Sequence, residues 1–492
     1  MKRINNDLLA SVDSSAIQLP QYDRAGVKPG IVHLGIGAFH RAHQAFYTEA
    51  VLNQFGGDWG IIGCSLRSAS VKTQLSEQDG LYTLVERGPE GEKFQIMGAV
   101  QQVVVGPEDP AALVAIMANP QTQIVSLTVT EKGYCHDPAT GNLNLSHPDI
   151  QHDLGNLNAP KSAIGYIVAA LLARKESGQS SFTVLSCDNL PNNGEVLEKV
   201  VLQFAKQVSA EFCEWVSAHT KFPSTMIDRI VPATTDSDRA DLEAKVGYRD
   251  EGMVVAEPFT QWVIEDKFCS ARPQWEQVGA LLVEDVTAFE KMKLRLLNGS
   301  HSMLAYAGYL AGFETISDVM TEPAFVALCK KFMDTEAGPT VKTPDGFDIE
   351  DYKKQLRDRF ANPGLKHRTW QIAMDGSQKI PQRLLETLRE QLASGGSIEV
   401  ISLAIAAWFK YVSAVDDAGN AIDVQDPLAA RLKSLCDSHP NTSERVAALL
   451  GVKEVFGEDL VGCSAFAAAI SAWLDAFAKQ GVLATIKQSF SA

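Results

Sequence analysis

Residues 31–36, IVHLGI, form an apolar run that ends in glycine, which predicts a buried strand. The next stretch, GAFHRAHQAFYTEAVLNQ, spaces Phe39, Ala42, Phe46 and Val51 like one face of a helix. Further strands are predicted at 60–66, 123–130 and 182–189, the second of these rich in β-branched residues. A helix falls at about 161–175, and helical spacing continues from the last strand to about 218. Strands alternating with helices predict a mostly parallel sheet covered on both faces. The pattern changes near residue 286. Beyond it the spacing is helical at 286–312, 322–334, 349–361, 380–393, 397–412 and 463–490, with a turn-rich loop at 415–427. The expected fold is therefore α/β plus all-α: a Rossmann-like nucleotide-binding domain over 1–285, then a mainly helical domain over 286–492.

Charge narrows the class of partner. The 492 residues carry a net charge of −16 at pH 7, which opposes nucleic-acid phosphates and anionic membranes. An anionic substrate would need a local concentration of Lys and Arg. No stretch approaches the roughly 20 apolar residues of a membrane span, and the first residues lack the apolar core of a secretory signal. The eight cysteines stand singly, without a CxxC pair, so reduced thiols in a cytoplasm are expected rather than disulfides or a cysteine zinc site.

The turn after the first strand reads Gly35-Ile36-Gly37-Ala38-Phe39. Gly35 allows a tight turn, and Gly37 lets backbone approach a pyrophosphate at a helix N-terminus. The third glycine of the dinucleotide fingerprint is absent, because position 40 is His. A plain strand–helix turn is the alternative reading. No acidic residue marks the end of the second strand to hold a ribose hydroxyl. Arg67 stands there, either as a partner for a 2′-phosphate or as a solvated arginine, so NAD and NADP both stay open.

The stretch FEKMKLRLLNGSHSMLAYAGYLAG opens the helical region. Lys293, Asn298 and His301 are spaced by five and three residues. At about 100° per residue, Asn298 falls about 140° from Lys293, with His301 between them at about 80°. Any one of the three alone reads as part of a solvated polar stripe, but the trio beside apolar neighbours, at a domain junction where a cleft is expected, suits alcohol oxidation. A lysine in a partly desolvated pocket acts as base or acid, amide groups hold the reacting oxygen, and a histidine orients substrate. Other dehydrogenase chemistries leave no mark. No tyrosine is followed by Lys four residues on, and the close histidine pairs His40/His43 and His147/His152 lie on the phosphate-side helix and in a loop, outside any open metal site.

Six segments, IVHLGIGAFHRAHQAFYT, SLTVTEKGY, TVLSCDNLPNNG, TMIDRIVPAT, KLRLLNGSHSMLAYAGYL and HRTWQIAMDGSQKIPQR, together resemble the polyol-specific long-chain dehydrogenases, the mannitol dehydrogenase family. The resemblance runs from about residue 28 to the C-terminus. It implies metal-free catalysis between a nucleotide-binding and a helical domain, in a monomer or weak dimer. It gives Lys293 the general acid/base role, and Asn298 with Asn189 the reacting oxygen. His301 becomes a substrate-binding residue, and Glu131 a carboxylate near the lysine. Asp228 and Lys379 are implied to lie near substrate. For Glu131 a salt-bridged helix-start residue is the alternative, and for Asp228 a structural pair with Arg229. Gln371 departs from the family's mannitol-active members, which have Arg there. Some of the nearby His367, Arg368, Lys379 and Arg383 could meet a uronate carboxylate, which favours a sugar acid over a neutral polyol; solvated helix-end charges are the alternative reading. The implied reaction is reduction of D-fructuronate to D-mannonate. Mannitol or another polyol, tagaturonate, and a non-catalytic nucleotide-sensing role are the alternatives, and a binding module has no use for the complete trio.

Overall fold

A computed structural model describes residues 2–137 and 140–491. The chain divides after Thr287 into two compact units. The first is built on a five-stranded parallel sheet in the order 100–105, 60–65, 29–34, 124–127, 183–186. The central strand, Pro29–Leu34, pairs with Gly60–Ser65 on one side and with Ile124–Leu127 on the other. Consecutive residues of that strand serve opposite faces, as the strand period of two requires. Ile31 packs with Tyr47, Val51 and Trp262, whereas Val32 packs with Ile167, Val200 and Phe204. Burial on both faces explains why these strands show as continuous apolar runs rather than alternating ones. Successive strands leave the centre in opposite directions, so the loops after 29–34 and 124–127 diverge at a topological switch point, where open α/β sheets bind ligands.

The predicted helix after the first strand is two helices, Ala38–Ala42 and Gln44–Phe55, broken at His43 (φ −127°, ψ −87°). His152 is helical, within Pro148–Gly155, where the sequence suggested a loop. Two further three-stranded sheets carry strands that the apolar pattern did not reveal. One joins Leu281–Val283, Gln261–Glu265 and Thr225–Asp228; the other joins Gly91–Met97, Tyr82–Gly88 and Val254–Ala256.

The second unit contains no named strand among its described residues. Its central helix, Gly299–Leu310, is buried at every position except Tyr309. The long helices read from the sequence are interrupted. The 286–312 stretch is the helix Thr287–Lys293, a π-helical turn Leu294–Asn298 and the helix from Gly299. Similar π turns fall at Phe332–Ala337 and Pro381–Leu385. The 463–490 stretch breaks at Gly481, whose φ of +82° ends one helix and starts the next.

Candidate active site

In the first unit, Gly35 has a φ of +93°, and a Cβ there would lie 2.2 Å from the Thr128 carbonyl oxygen. Its N–H donates to the Cys64 carbonyl at 2.8 Å, tying the turn to the second strand. Glycine is thus required here by the protein itself. Gly37 differs. Its backbone is extended (φ −85°, ψ −177°), it is exposed, and an added Cβ would meet nothing nearer than the Gly35 oxygen at 3.8 Å. The protein gives no steric reason for glycine at 37, but the space suits a phosphate lying against backbone. Ala38 and Phe39 are half-buried just beyond it, and Arg67 is exposed in the loop after the second strand. His40, at the missing third glycine, is buried and stacked on His33 with ring centroids 3.5 Å apart. His33 is held between the Ser126 and Thr128 hydroxyls at 2.8 Å each, and burial pushes its imidazole down to about 3, so both rings are neutral packing elements.

The neighbouring strand tips carry the other first-unit candidates. Glu131 opens a 3-10 turn, Glu131–Tyr134, after the strand Ile124–Leu127. It is half-buried and in no ion pair among the described residues. Asn189 is exposed on the bend after Thr183–Ser186. Asp228 is buried at the end of Thr225–Asp228. Arg229 engages Glu86, the Glu257 carbonyl and the Ala42 carbonyl, so those are its structural partners. Asp188, which drew no notice in the sequence, is buried between Cys187 and Asn189 and accepts three hydrogen bonds.

In the second unit, Lys293, Asn298 and His301 are 6%, 7% and 5% exposed. The π turn changes their expected geometry. The Gly299 N–H reaches back five residues to the Leu294 carbonyl. A turn that closes at five residues stacks side chains five apart, as an α-helical turn does for four. Lys293 and Asn298 therefore sit nearly in register, rather than about 140° apart on the α-helical count. Glycine at 299 admits the facing π turn, because a Cβ there would be 2.9 Å from the Arg383 carbonyl oxygen. Asn298 Oδ1 is buried with no hydrogen-bond partner, as is Ser300 Oγ two residues on.

His301 packs against Phe360 with ring centroids 4.4 Å apart and planes tilted by 33°, and meets the His367 ring edge-on at 5.5 Å. Burial first, then the nearby His367, Arg359, Arg383 and Lys293, holds its imidazole well below its usual value. His367 is pushed down to about 4 by burial and by Lys379, and its Nδ1 has no partner. Lys379 is half-buried, with Nζ 3.4 Å from the Ile372 carbonyl, and Arg383 Nη1 is 3.3 Å from Ser302 Oγ. Arg368 is exposed and lies 3.8 Å from Glu314. The basic groups gathered at His301 thus include Arg359, which no local sequence signal marks. Gln371 is half-buried in the short helix Thr369–Ala373. No cluster of three metal-ligating side chains forms among the described residues.

Comparison with known proteins gives the family. The model of the mannitol dehydrogenase Rossmann domain matches residues 29–277, and that of the mannitol dehydrogenase C-terminal domain matches 285–478. The chain belongs to the mannitol dehydrogenase family. It is 48% identical over 477 residues to the uncharacterized oxidoreductase YeiQ of Escherichia coli K12, covering 96% of this chain and 97% of that protein. It is 46% identical over 475 residues to D-mannonate oxidoreductase of the same organism, covering 96% and 98%. The structure of Pseudomonas fluorescens mannitol 2-dehydrogenase in ternary complex with NAD and D-mannitol superposes with a TM-score of 0.93 at 39% identity, covering 99% of each chain. This chain is therefore an oxidoreductase acting on a CH–OH group, with the Rossmann-type and helical architecture of that family. None of its described helices is long and apolar enough to cross a membrane.

Proposed function

We propose that this oxidoreductase interconverts D-fructuronate and D-mannonate with NAD(H). The observation that carries the reading is the group of bases at His301. Lys293, Arg359 and Arg383 all act on that ring, and Lys379 acts on the neutral His367 beside it, in a chain whose net charge is −16. Such local concentration suits an anionic sugar acid better than a neutral ketose. The relationship to D-mannonate oxidoreductase along nearly the whole chain supports the same choice.

The residues divide the work as follows. A bound nicotinamide would supply or accept the hydride. Lys293 removes the hydroxyl proton on oxidation and returns it on reduction. Asn298, whose Oδ1 lacks a protein partner, turns its amide N–H to the reacting oxygen and stabilises charge growing there. Asn189 is the second amide donor to that oxygen. Glu131 passes the proton to and from solvent, and the neutral His301 orients a substrate hydroxyl. Asp228 binds a further hydroxyl, while Lys379 and Arg383 receive the carboxylate; Arg368, paired with Glu314, contributes only to the surrounding field. In the first unit, Gly35, Gly37, Ala38 and Phe39 form the backbone cradle for the pyrophosphate. Arg67, exposed in the loop after the second strand, is the residue that a 2′-phosphate would meet, so NADPH is to be tested beside NADH. The family setting further suggests a cytoplasmic monomer or weak dimer.

The bound D-mannitol of the Pseudomonas structure makes mannitol oxidation the competing reading, with tagaturonate reduction a close relative of the first. The test is NADH consumption by the wild type and Lys293→Ala at neutral pH. The expected loss of turnover is on the order of 10²-fold or more, with NADH affinity nearly unchanged. Near wild-type turnover in the variant would remove lysine catalysis from the account.

A further inference from the structure

The two loops that carry Glu131 and Asn189 leave neighbouring parallel strands, and one buried side chain joins them. Asp188 Oδ1 accepts from the Thr130 N–H at 2.8 Å. Its Oδ2 accepts from the Val129 N–H at 3.1 Å and from the Tyr134 hydroxyl at 3.0 Å. Tyr134 in turn meets the Ser186 hydroxyl at the end of the adjacent strand. The backbone of Asp188 is fixed as well, because Asn193 Nδ2 donates to its carbonyl at 2.9 Å and to that of Thr225 at 2.8 Å. Both ends of the bridge are thus held.

The bridge supports a strained residue. Thr130 has φ +63° and ψ 168°, a conformation that a β-branched side chain rarely adopts. Such strain persists only where the surroundings over-determine it, and it concentrates at functional sites. Here the Thr130 N–H is bonded to Asp188, and the strained residue aims the chain into Glu131. A carboxylate is a costly choice for a purely structural clamp at this depth. Burial pushes the Asp188 carboxyl up to about 7 against the pull of its backbone donors, and Glu131 adds to the rise.

We infer that Asp188 is a positioning residue that sets Glu131 and Asn189 in their working geometry by clamping the strained Val129–Thr130 backbone. This rests on the roles proposed above for Glu131 and Asn189. Asp188 itself does not touch substrate. In Asp188→Asn the amide N–H₂ replaces one acceptor, so at least one backbone donor loses its bond.

The test combines Asp188→Asn, Glu131→Gln and the double variant. Activity is measured with NADH and D-fructuronate, or with NAD and D-mannitol if the wild type uses that pair. NADH dissociation constants and amide hydrogen exchange at Val129 and Thr130 are measured alongside. For Asp188→Asn the expected results are at least a tenfold drop in kcat, KM and NADH affinity within threefold, and at least tenfold faster exchange at the two amides. The double variant should be at most about threefold slower than the slower single variant, since both changes disable one unit. Wild-type kcat in Asp188→Asn, or multiplicative losses in the double variant, would overturn the inference. If Asp188→Asn does not fold, Tyr134→Phe removes one donor and should give smaller changes in the same directions; unchanged exchange and kcat there count against the clamp. An inert Glu131→Gln would defeat the proton-transfer role, while the exchange result would still judge the clamp.

Discussion

Two glycines in one turn make opposite predictions. At Gly35 an alanine meets both a φ of +93° and a carbonyl oxygen 2.2 Å from its Cβ. Strain of about 1–3 kcal/mol and overpacking of about 1–3 kcal/mol add to a loss on the order of 3 kcal/mol or more. For a unit of this size, that lowers Tm by roughly 6–12 °C. At Gly37 the backbone is one that any residue adopts, and nothing lies nearer than 3.8 Å. Gly37→Ala should therefore keep stability within about 1 kcal/mol, the weaker N-cap being offset by reduced freedom of the unfolded chain. If the open space receives a pyrophosphate, Gly37→Val should raise the NADH dissociation constant at least tenfold, a loss of about 1.4 kcal/mol. Fluorescence titration of NADH and thermal unfolding of the three variants separate the two effects. Wild-type NADH affinity in Gly37→Val would refute the cradle, and an unchanged Tm in Gly35→Ala would refute the steric argument.

Asn298→Ala should lower kcat more than it raises KM, because the reacting oxygen carries most charge in the transition state; a change in KM alone would reduce the residue to binding. Burial pushes the Glu49 carboxyl up to about 7, although the Gly98 and Ala99 N–H groups and the Tyr22 hydroxyl donate to it. Its folded value thus exceeds the unfolded one, so its contribution is fully present below about pH 4.5 and is lost as pH rises through about 7. Between pH 4.5 and 8 the wild type should lose on the order of 3 kcal/mol that the isosteric Glu49→Gln does not, as read by urea unfolding at several pH values; parallel pH profiles would contradict this. Prolonged dialysis against EDTA should leave turnover intact, and a loss restored by zinc would reveal a metal role.

The strands of the parallel sheet that stand out in the sequence do so because burial on both faces makes them uniformly apolar. Tyr82–Gly88 and Gly91–Met97 escaped the same reading, since polar residues such as Thr83, Glu86, Lys93 and Gln95 interrupt them. The helical character of the second unit was legible from its spacing, but its π turns were not. A periodicity near 3.6 tolerates one added residue without visible trace, so the near-alignment of Lys293 with Asn298 required the backbone. The trio itself was visible because a polar face beside Leu296, Leu297 and Met303 is unusual. Arg359 and Asp188 were not visible, because each gains its significance from packing against segments distant in sequence. Arg368 drew attention by proximity to Lys379 in the chain, and the structure gives it an exposed position facing Glu314.

Substrate charge is the claim on which the account depends most. A uronate carboxylate bound by Lys379 or Arg383 in a partly desolvated site gains a charge-assisted hydrogen bond of roughly 1.5–3 kcal/mol, which a neutral ketose of the same shape cannot form. Since about 1.4 kcal/mol is one decade, kcat/KM for D-fructuronate should exceed that for D-fructose at least tenfold. The decisive measurement is that ratio, with NADH, in the wild type and in Lys379→Met and Arg383→Met. The account predicts a wild-type ratio above ten that collapses toward one in at least one of the variants while the small activity on fructose survives. Equal or better use of fructose by the wild type would contradict the sugar-acid assignment and leave a polyol dehydrogenase in its place.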